Sequence, residues 1–434
     1  MRTKNYPKID ETIYTETLDN GLKVCLLPKQ NVSEVNAFFT TKYGANDISF
    51  TPLGESEAIQ SPYGVAHFLE HKMFDKGDYD AFERFSELGA NANAYTNPTQ
   101  TAYLFDTTEN AIECVEWLLD FVQNPYFTEE TVEKEKGIIT QEAQMYEDNP
   151  DQKLFMETLG AMFKNHPVKH EVLGTIESIN RITKDDLYTC YHTFYHPSNM
   201  TLCVTGNIDK DELMAVIRQN QASKTFDEAE AIERFIPEEP TDVNVQSKEI
   251  TLPVTTPKVM FGIKEYARPI ASEELEKRNL LTEMVLDYLF GRSGQYFKEL
   301  YDQGIVDYSF GYTSSAENDF GYAILTGNTP YPDRLISEMT RLLEATSDLE
   351  LSKRDFERMK KRKIGRILRG MNSQDIIAQS YIWYDDYDLD YFEVIPYIES
   401  LTLDEVNAYI NDWYDPKRLS VCRIKPEQTI NETD

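Results

Sequence analysis

Histidine is scarce in this chain, with six in 434 residues, and none lies beyond His196. Any chemistry that needs imidazole is therefore confined to the first half. Basic residues are also few: 43 Lys and Arg stand against 75 Asp and Glu, for a net charge of −32. A field of that sign repels phosphate backbones and anionic lipid headgroups, which disfavours nucleic-acid and membrane-surface binding and leaves basic or neutral peptides as partners. The five cysteines (Cys25, Cys114, Cys190, Cys203, Cys422) are odd in number and form no CxxC. A disulfide framework or thiolate zinc site is not expected, and a reducing compartment fits. No apolar run approaches the ~20 residues of a membrane span. The opening MRTKNYPKIDETIYTETLDNG has no apolar core of a signal peptide, so a cytoplasmic location is expected.

Core-forming material is ample, at 41% hydrophobic and 12% aromatic residues. The length predicts two to four domains at roughly 100–200 residues each. Residues 227–247, DEAEAIERFIPEEPTDVNVQS, are acidic, hold two prolines and show no period, and so read as a linker between 1–226 and 248–434. The two parts look related. Thr183–Cys203 aligns with Thr402–Cys422 without a gap, matching at Thr183/Thr402, Tyr195/Tyr414, Pro197/Pro416 and Cys203/Cys422. Each copy reads as a Thr-capped helix, a Tyr-x-Pro turn and a strand, and duplication is the simplest account.

In the first part, 21–28, 35–42 and the two arms of 91–106 read as strands; 61–75, 111–123 and 128–147 read as helices. Ser61 is expected to cap the first helix, with Pro62 at its first position. Strands with helices grouped on one face predict an α+β fold of two homologous sandwich-like halves.

The helix over 61–75 contains His67-Phe68-Leu69-Glu70-His71. His67 and His71, four apart, share one helical face, where two imidazoles can hold one zinc ion. Glu70 stands beside them, placed to accept a proton from an attacking water rather than to ligate. A chain of this composition would show the pattern by chance only about 0.008 times. Catalytic zinc takes a third protein ligand, and the acidic helix over 128–147 offers Glu135 and Glu142, seven apart on one face; spacing alone leaves either open. The pairs His166/His170 and His192/His196 are also four apart, but the first flanks Pro167 and the second falls at Asn411 and Asp415 in the repeat, which reads as structural.

The segments GVAHFLEHKMF, NANAYTNPTQTAYLF and EKEKGIITQEAQ resemble the pitrilysin family of zinc metallopeptidases, the inverted zincins that include insulinase and mitochondrial processing peptidase. The resemblance covers essentially the whole chain. It implies one zinc ion held by His67, His71 and Glu142, with Glu70 activating the water and Glu135 as the supporting acid that orients a ligand. It implies that the strand of Asn93, Ala94 and Tyr95 pairs with the backbone of a peptide substrate. It also implies an Arg and, seven residues later, a Tyr in the second half to stabilise the oxyanion. Here the Arg position is Tyr301, while Tyr308 or Asp307 falls at the Tyr position. The chain thus resembles the zinc-bearing member of a bacterial pair. The expectation is a clamshell heterodimer cleaving small unfolded, preferably basic peptides, with a sister subunit supplying the Arg/Tyr pair. A homodimer, or a non-catalytic structural or peptide-binding subunit, is the alternative.

Overall fold

The structure is a computed structural model and describes residues 1–427. In the first part the strands are β1 (Arg2–Tyr6), β2 (Glu11–Thr17), β3 (Lys23–Pro28), β4 (Val35–Thr41), a short ribbon of β5 (Ser49–Phe50) and β6 (Ile59–Gln60), β7 (Asn91–Thr96), β8 (Thr101–Thr107) and β9 (Met200–Gly206). Those of the second part are β10 (Ser247–Leu252), β11 (Lys258–Tyr266), β12 (Gly311–Ala316), β13 (Gly321–Asn328) and β14 (Leu419–Pro426). The large sheets run β1-β2-β3-β9-β4-β8-β7 and β10-β14-β11-β13-β12. From β3 onward the first matches the second strand for strand. β3/β9 and β10/β14 are parallel and the other pairs antiparallel. Among the described residues the second sheet has no counterpart of β1 and β2.

The helices follow the same duplication. The first part carries α1 (Val65–Phe74), α2 (Ala81–Glu87), α3 (Ala111–Val122), α4 (Glu129–Glu147), α5 (Pro150–Met162), α6 (Ile176–Arg181), α7 (Lys184–Phe194) and α8 (Lys210–Ala222). The second carries α9 (Ser272–Phe290), α10 (Gln295–Asp302), α11 (Pro332–Glu344), α12 (Lys353–Gly370), α13 (Gln374–Asp386), α14 (Val394–Ser400) and α15 (Leu403–Trp413). Thr183 and Thr402 cap α7 and α15 by accepting from the third helical N–H, and a single turn of tighter helix then leads into β9 and β14. The repeat read from sequence is thus one structural unit used twice.

One helix departs from its expected start. It begins at Val65, not at Ser61, because Gly64 sits at φ 90 and breaks the helical path. Ser61 is buried and donates its hydroxyl to the Ile48 carbonyl instead of capping.

The halves also exchange a helix. Besides the helices on its own covered face, each sheet receives one from the other half. α5 lies on the second sheet, where Leu154, Met162 and Phe163 pack with Ile324 and Cys422. α13 lies on the first sheet, where Ala378 and Ile382 pack with Cys25, Phe38 and Cys203. Gly262 in β11 permits the first contact, since a Cβ there would lie 2.5 Å from the Met162 sulfur. All five cysteines are buried free thiols.

Residues expected as a linker contain no helix, and only Arg234 makes a bridge before β10 opens at Ser247. The segment is nonetheless fastened. Arg234 Nε donates to Asp47 Oδ1 at 2.7 Å, and Glu239 accepts from Lys264 and from three backbone N–H groups.

Where the β12–β13 turn meets the β7–β8 turn and the end of α13, the interface is acidic and buried. Glu317 accepts from Tyr387 and Thr99, and Gln100 Nε2 donates to Asp386 Oδ2 at 3.1 Å. Burial raises Glu317 to about 7, opposed by Tyr387 and reinforced by Asp319. Burial likewise raises Asp386 to about 6, opposed by Lys42. Such groups hold more protons folded than unfolded, so their contribution to stability is full at low pH and is lost as pH rises from the ordinary carboxyl range through about 7. Glu317→Gln should therefore flatten the fall in urea midpoint between pH 5 and pH 8, by on the order of 3 kcal/mol at most. An unchanged pH slope would remove this junction as its source.

Candidate metal centre

α1 is buried on nearly every side, and His67 and Glu70 are held in its packed surface. α4 starts at a capping box between Thr128 and Thr131 and presents Glu135 and Glu142 to α1. Ligand atoms of His67, His71 and Glu142 all lie within 4.8 Å of one another. Glu142 Oε2 is 3.5 Å from His71 Nε2 and 3.8 Å from His67 Nε2. Glu135 Oε1 lies 3.2 Å from His71 Nδ1 on the far side of that ring. A proton shared there leaves the Nε2 lone pair aimed at Glu142. Spacing had left Glu135 and Glu142 open; the geometry puts Glu142 in the cluster of three and Glu135 behind His71.

The electrostatics suit a dication. Burial, then the neighbouring His71, lowers His67 to about 3, so at neutral pH it offers a lone pair and cannot form an ion pair with Glu142. Burial acts against the charge of His71, but the Glu135 hydrogen bond and the carboxylates around it raise its pKa overall. Burial raises Glu70, opposed by a hydrogen bond from Thr96 and by His71. Among the described residues no Lys or Arg pairs with Glu70, Glu135 or Glu142. Three carboxylates converge without a cationic side chain, on a donor set of two imidazoles and a carboxylate, which is the composition that binds zinc.

The cluster opens into a cleft of about 860 Å³ that β7 borders. β7 is the outermost strand of its sheet, paired only with β8. Asn93 and Ala94 lie along the cleft, with Asn93 Oδ1 accepting from the Ala94 N–H at 2.9 Å. Tyr95 also borders the cleft, while its side chain packs beside the α13 cluster and donates its hydroxyl to Gln100 Oε1 at 3.1 Å. Sequence reading missed Thr96. Its Oγ1 donates to Glu70 Oε2 at 2.6 Å, and the two-residue alternation from Ala94 would have placed it on the α1 face. Among the described residues Lys134 is the one Lys or Arg that borders the cleft, against Asp75, Asp78, Asp80 and Glu171 beyond the cluster itself.

The remaining histidines do other work. His166 is buried, accepts from Val168 N–H and lies 3.3 Å from Asp319, while the His170 ring lies tilted against Tyr63 with centroids 4.1 Å apart. His192 lies against Tyr188, and His196 lies 3.0 Å from the Asp227 carbonyl. In the second half Tyr301 and Tyr308 are exposed, with ring centroids 5.0 Å apart. The guanidinium of Arg292 covers Tyr308 at 4.9 Å, a pairing invisible from spacing because Arg292 precedes α10 and Tyr308 follows it.

Residues 53–176 match the family described as insulinase, peptidase family M16, and residues 181–363 match the peptidase M16 inactive domain. The chain is 43% identical to YmfH of Bacillus subtilis, an uncharacterized zinc protease, across 97% of this chain and 98% of that one. It superposes with a TM-score of 0.91 on the crystal structure of an M16-like peptidase from Alicyclobacillus acidocaldarius, at 37% identity over 96% and 99% of the two chains. A protease from Helicobacter pylori shares the fold at 18% identity and a TM-score of 0.80, over 95% and 99% of the chains. Fold and comparisons together place the molecule in a family of proteins named as zinc proteases and M16-like peptidases. The chain belongs to peptidase family M16, the insulinase or pitrilysin family.

Proposed function

We propose that the chain is a zinc-dependent endopeptidase that cleaves small unfolded peptides, with one zinc ion on His67, His71 and Glu142. The observation that carries this reading is the convergence of those three donors beside Glu70, among carboxylates that no Lys or Arg neutralises. Bound zinc would supply Lewis-acid polarisation of the scissile carbonyl and acidify a water. The rest falls to the chain's own residues. Glu70 accepts the water's proton and returns it to the leaving amine, while Thr96 fixes its carboxylate. Glu135 holds the His71 ring. Asn93, Ala94 and Tyr95 offer the free edge of β7 to an extended substrate, whose backbone pairs there without demanding sequence. The acidic cleft favours basic peptides. Residues 1–226 form the metal-bearing unit, 227–247 the connection and 248–434 the unit without metal. The buried free thiols fit a cytoplasmic place of action.

A second chain completes the site, because among the described residues no Lys or Arg but Lys134 borders this cleft to bring positive charge toward a carbonyl oxygen. A sister subunit bearing an Arg/Tyr pair would do so. A second copy of this chain is the other reading, and the stacking of Arg292 on Tyr308 favours it, since an arginine and a tyrosine do stand together in the second half.

The test is cleavage of a quenched fluorescent peptide library by the zinc-loaded chain. Cleavage that a chelator abolishes and added zinc restores is expected. Peptides that bind the zinc-loaded chain and stay intact, with and without a partner, would make it a peptide-binding subunit.

A further inference from the structure

The two exchanged helices make matching contacts with different chemistry. Each has 13 residues; α5 ends at Met162 and α13 at Asp386. The turn after each outer strand is also the same length, and the β7–β8 turn ends at Gln100 where the β12–β13 turn ends at Phe320. On the second sheet Met162 and Phe320 belong to one apolar cluster. On the first sheet the matching pair is polar and buried: Gln100, 8% exposed, donates its amide to Asp386 Oδ2 at 3.1 Å. Met162 and Phe320 show that apolar packing is enough to seat an exchanged helix. A carboxylate in the same place adds a desolvation cost that seating does not require. Lys42 offsets it, with its ammonium 3.4 Å from Asp386 Oδ1 and donating to the Asp386 carbonyl at 2.9 Å.

What the polar pair adds is a hold on β7. Gln100 Oε1 accepts from the Tyr95 hydroxyl at 3.1 Å while its amide nitrogen serves Asp386, so one side chain links the outer strand to the second half. That strand is paired with β8 alone. Its Ala92, Ala94 and Thr96 face the core of α1, where Thr96 holds Glu70. On the opposite face Asn91 and Asn93 are exposed, and Tyr95 packs against the cluster of Phe38, Ala378 and Ile382. Tyr95 and Thr96 thus fix adjacent points of the strand to α13 and to α1.

We propose that Gln100 is a positioning residue: by joining Tyr95 to Asp386 it lets the second half set where the free edge of β7 lies for a peptide substrate. Gln100 acts through the strand and does not touch the peptide. The proposal rests on the reading of β7 as the substrate's edge.

Two readouts test it. Hydrogen exchange of residues 91–96 reports the strand with no peptide present. Fluorescence anisotropy of a labelled valine–lysine–serine peptide on the zinc-loaded Glu70→Gln chain reports binding without cleavage. Gln100→Glu sets a second carboxylate against Asp386. The β7 amides should then exchange at least about tenfold faster while those of β11 keep the wild-type rate, and the peptide Kd should rise at least about tenfold. Adding Asp386→Asn should bring both readouts back to within about threefold of wild type, because an amide again faces a carboxylate with the roles exchanged. A mere packing defect would not be repaired by that second change. Where Gln100→Glu does not fold, Gln100→Met removes both hydrogen bonds without adding charge, and it should shift both readouts in the same direction. Wild-type exchange in β7, a double variant no better than Gln100→Glu, or faster exchange with an unchanged Kd would each overturn the proposal. A wild-type chain that binds no peptide, beside variants whose β7 exchanges faster, would overturn the peptide reading of the cleft and leave the hold of Gln100 on the strand standing.

Discussion

Glu70→Gln should lower peptide cleavage by a factor of at least about 10³ and leave zinc content unchanged, a combination no other substitution in the cleft is expected to give. Glutamine keeps the size of the side chain and an oxygen that can accept from Thr96 Oγ1, now 2.6 Å away. His67, His71 and Glu142 are untouched, and their mutual placement comes from the packing of α1 against α4, to which the Glu70 charge is incidental. What disappears is the one carboxylate of the motif that neither joins the donor cluster nor holds a ligand ring. Burial raises the pKa of that carboxyl, which moves its basicity toward the range where a proton can be taken and given back near neutral pH. Zinc per chain by atomic absorption and kcat on a quenched peptide are the two measurements. Equal kcat with zinc bound would remove Glu70 as the base; loss of zinc along with activity would make Glu70 part of the metal's own support.

The centre was legible in sequence because its parts are local. A four-residue spacing on a helix fixes His67 and His71 on one face whatever surrounds them, and the capped repeat at Thr183 and Thr402 carries its own signals. The illegible parts are set by distant packing. The start of α1 depends on Gly64 taking a left-handed conformation, so the serine and proline that look like a helix start serve a turn instead. Thr96 joins the centre through the pairing of β7 with β8, and Arg292 meets Tyr308 only once α10 has folded between them. The exchange of α5 and α13 leaves no sequence signal, since a helix buried against a foreign sheet has the same apolar pattern as one packed at home.

The segment that sequence reads as a linker carries the other large expected effect. Glu239→Ala should cost about 3–5 kcal/mol of stability, the range for breaking a buried ion pair from one side. The Glu239 and Lys264 side chains are each 1% exposed and lie 2.7 Å apart. Against the cost of burial, Lys264 and the backbone donors hold the Glu239 carboxyl below its usual range. Its two oxygens also accept from the N–H groups of Lys164, Asn165 and His166, at 2.8, 2.6 and 2.8 Å. Alanine would strand a buried ammonium with only the carbonyls of Pro240 and Asp242, and would orphan three backbone donors. Exposed Glu238 next door has no such partners for its side chain, and Glu238→Ala should stay within about 0.5 kcal/mol. Urea unfolding of the two variants checks the contrast, and a Glu239→Ala midpoint equal to that of Glu238→Ala would reduce the segment to a passive connection. The three donors directly follow α5, the helix that the first half lends to the second sheet, and Lys264 lies in that sheet's own β11. Glu239 therefore ties the lent helix, the receiving sheet and the connecting segment at one point. Its loss should loosen the seating of one half on the other while the zinc donors, all on α1 and α4, keep their places.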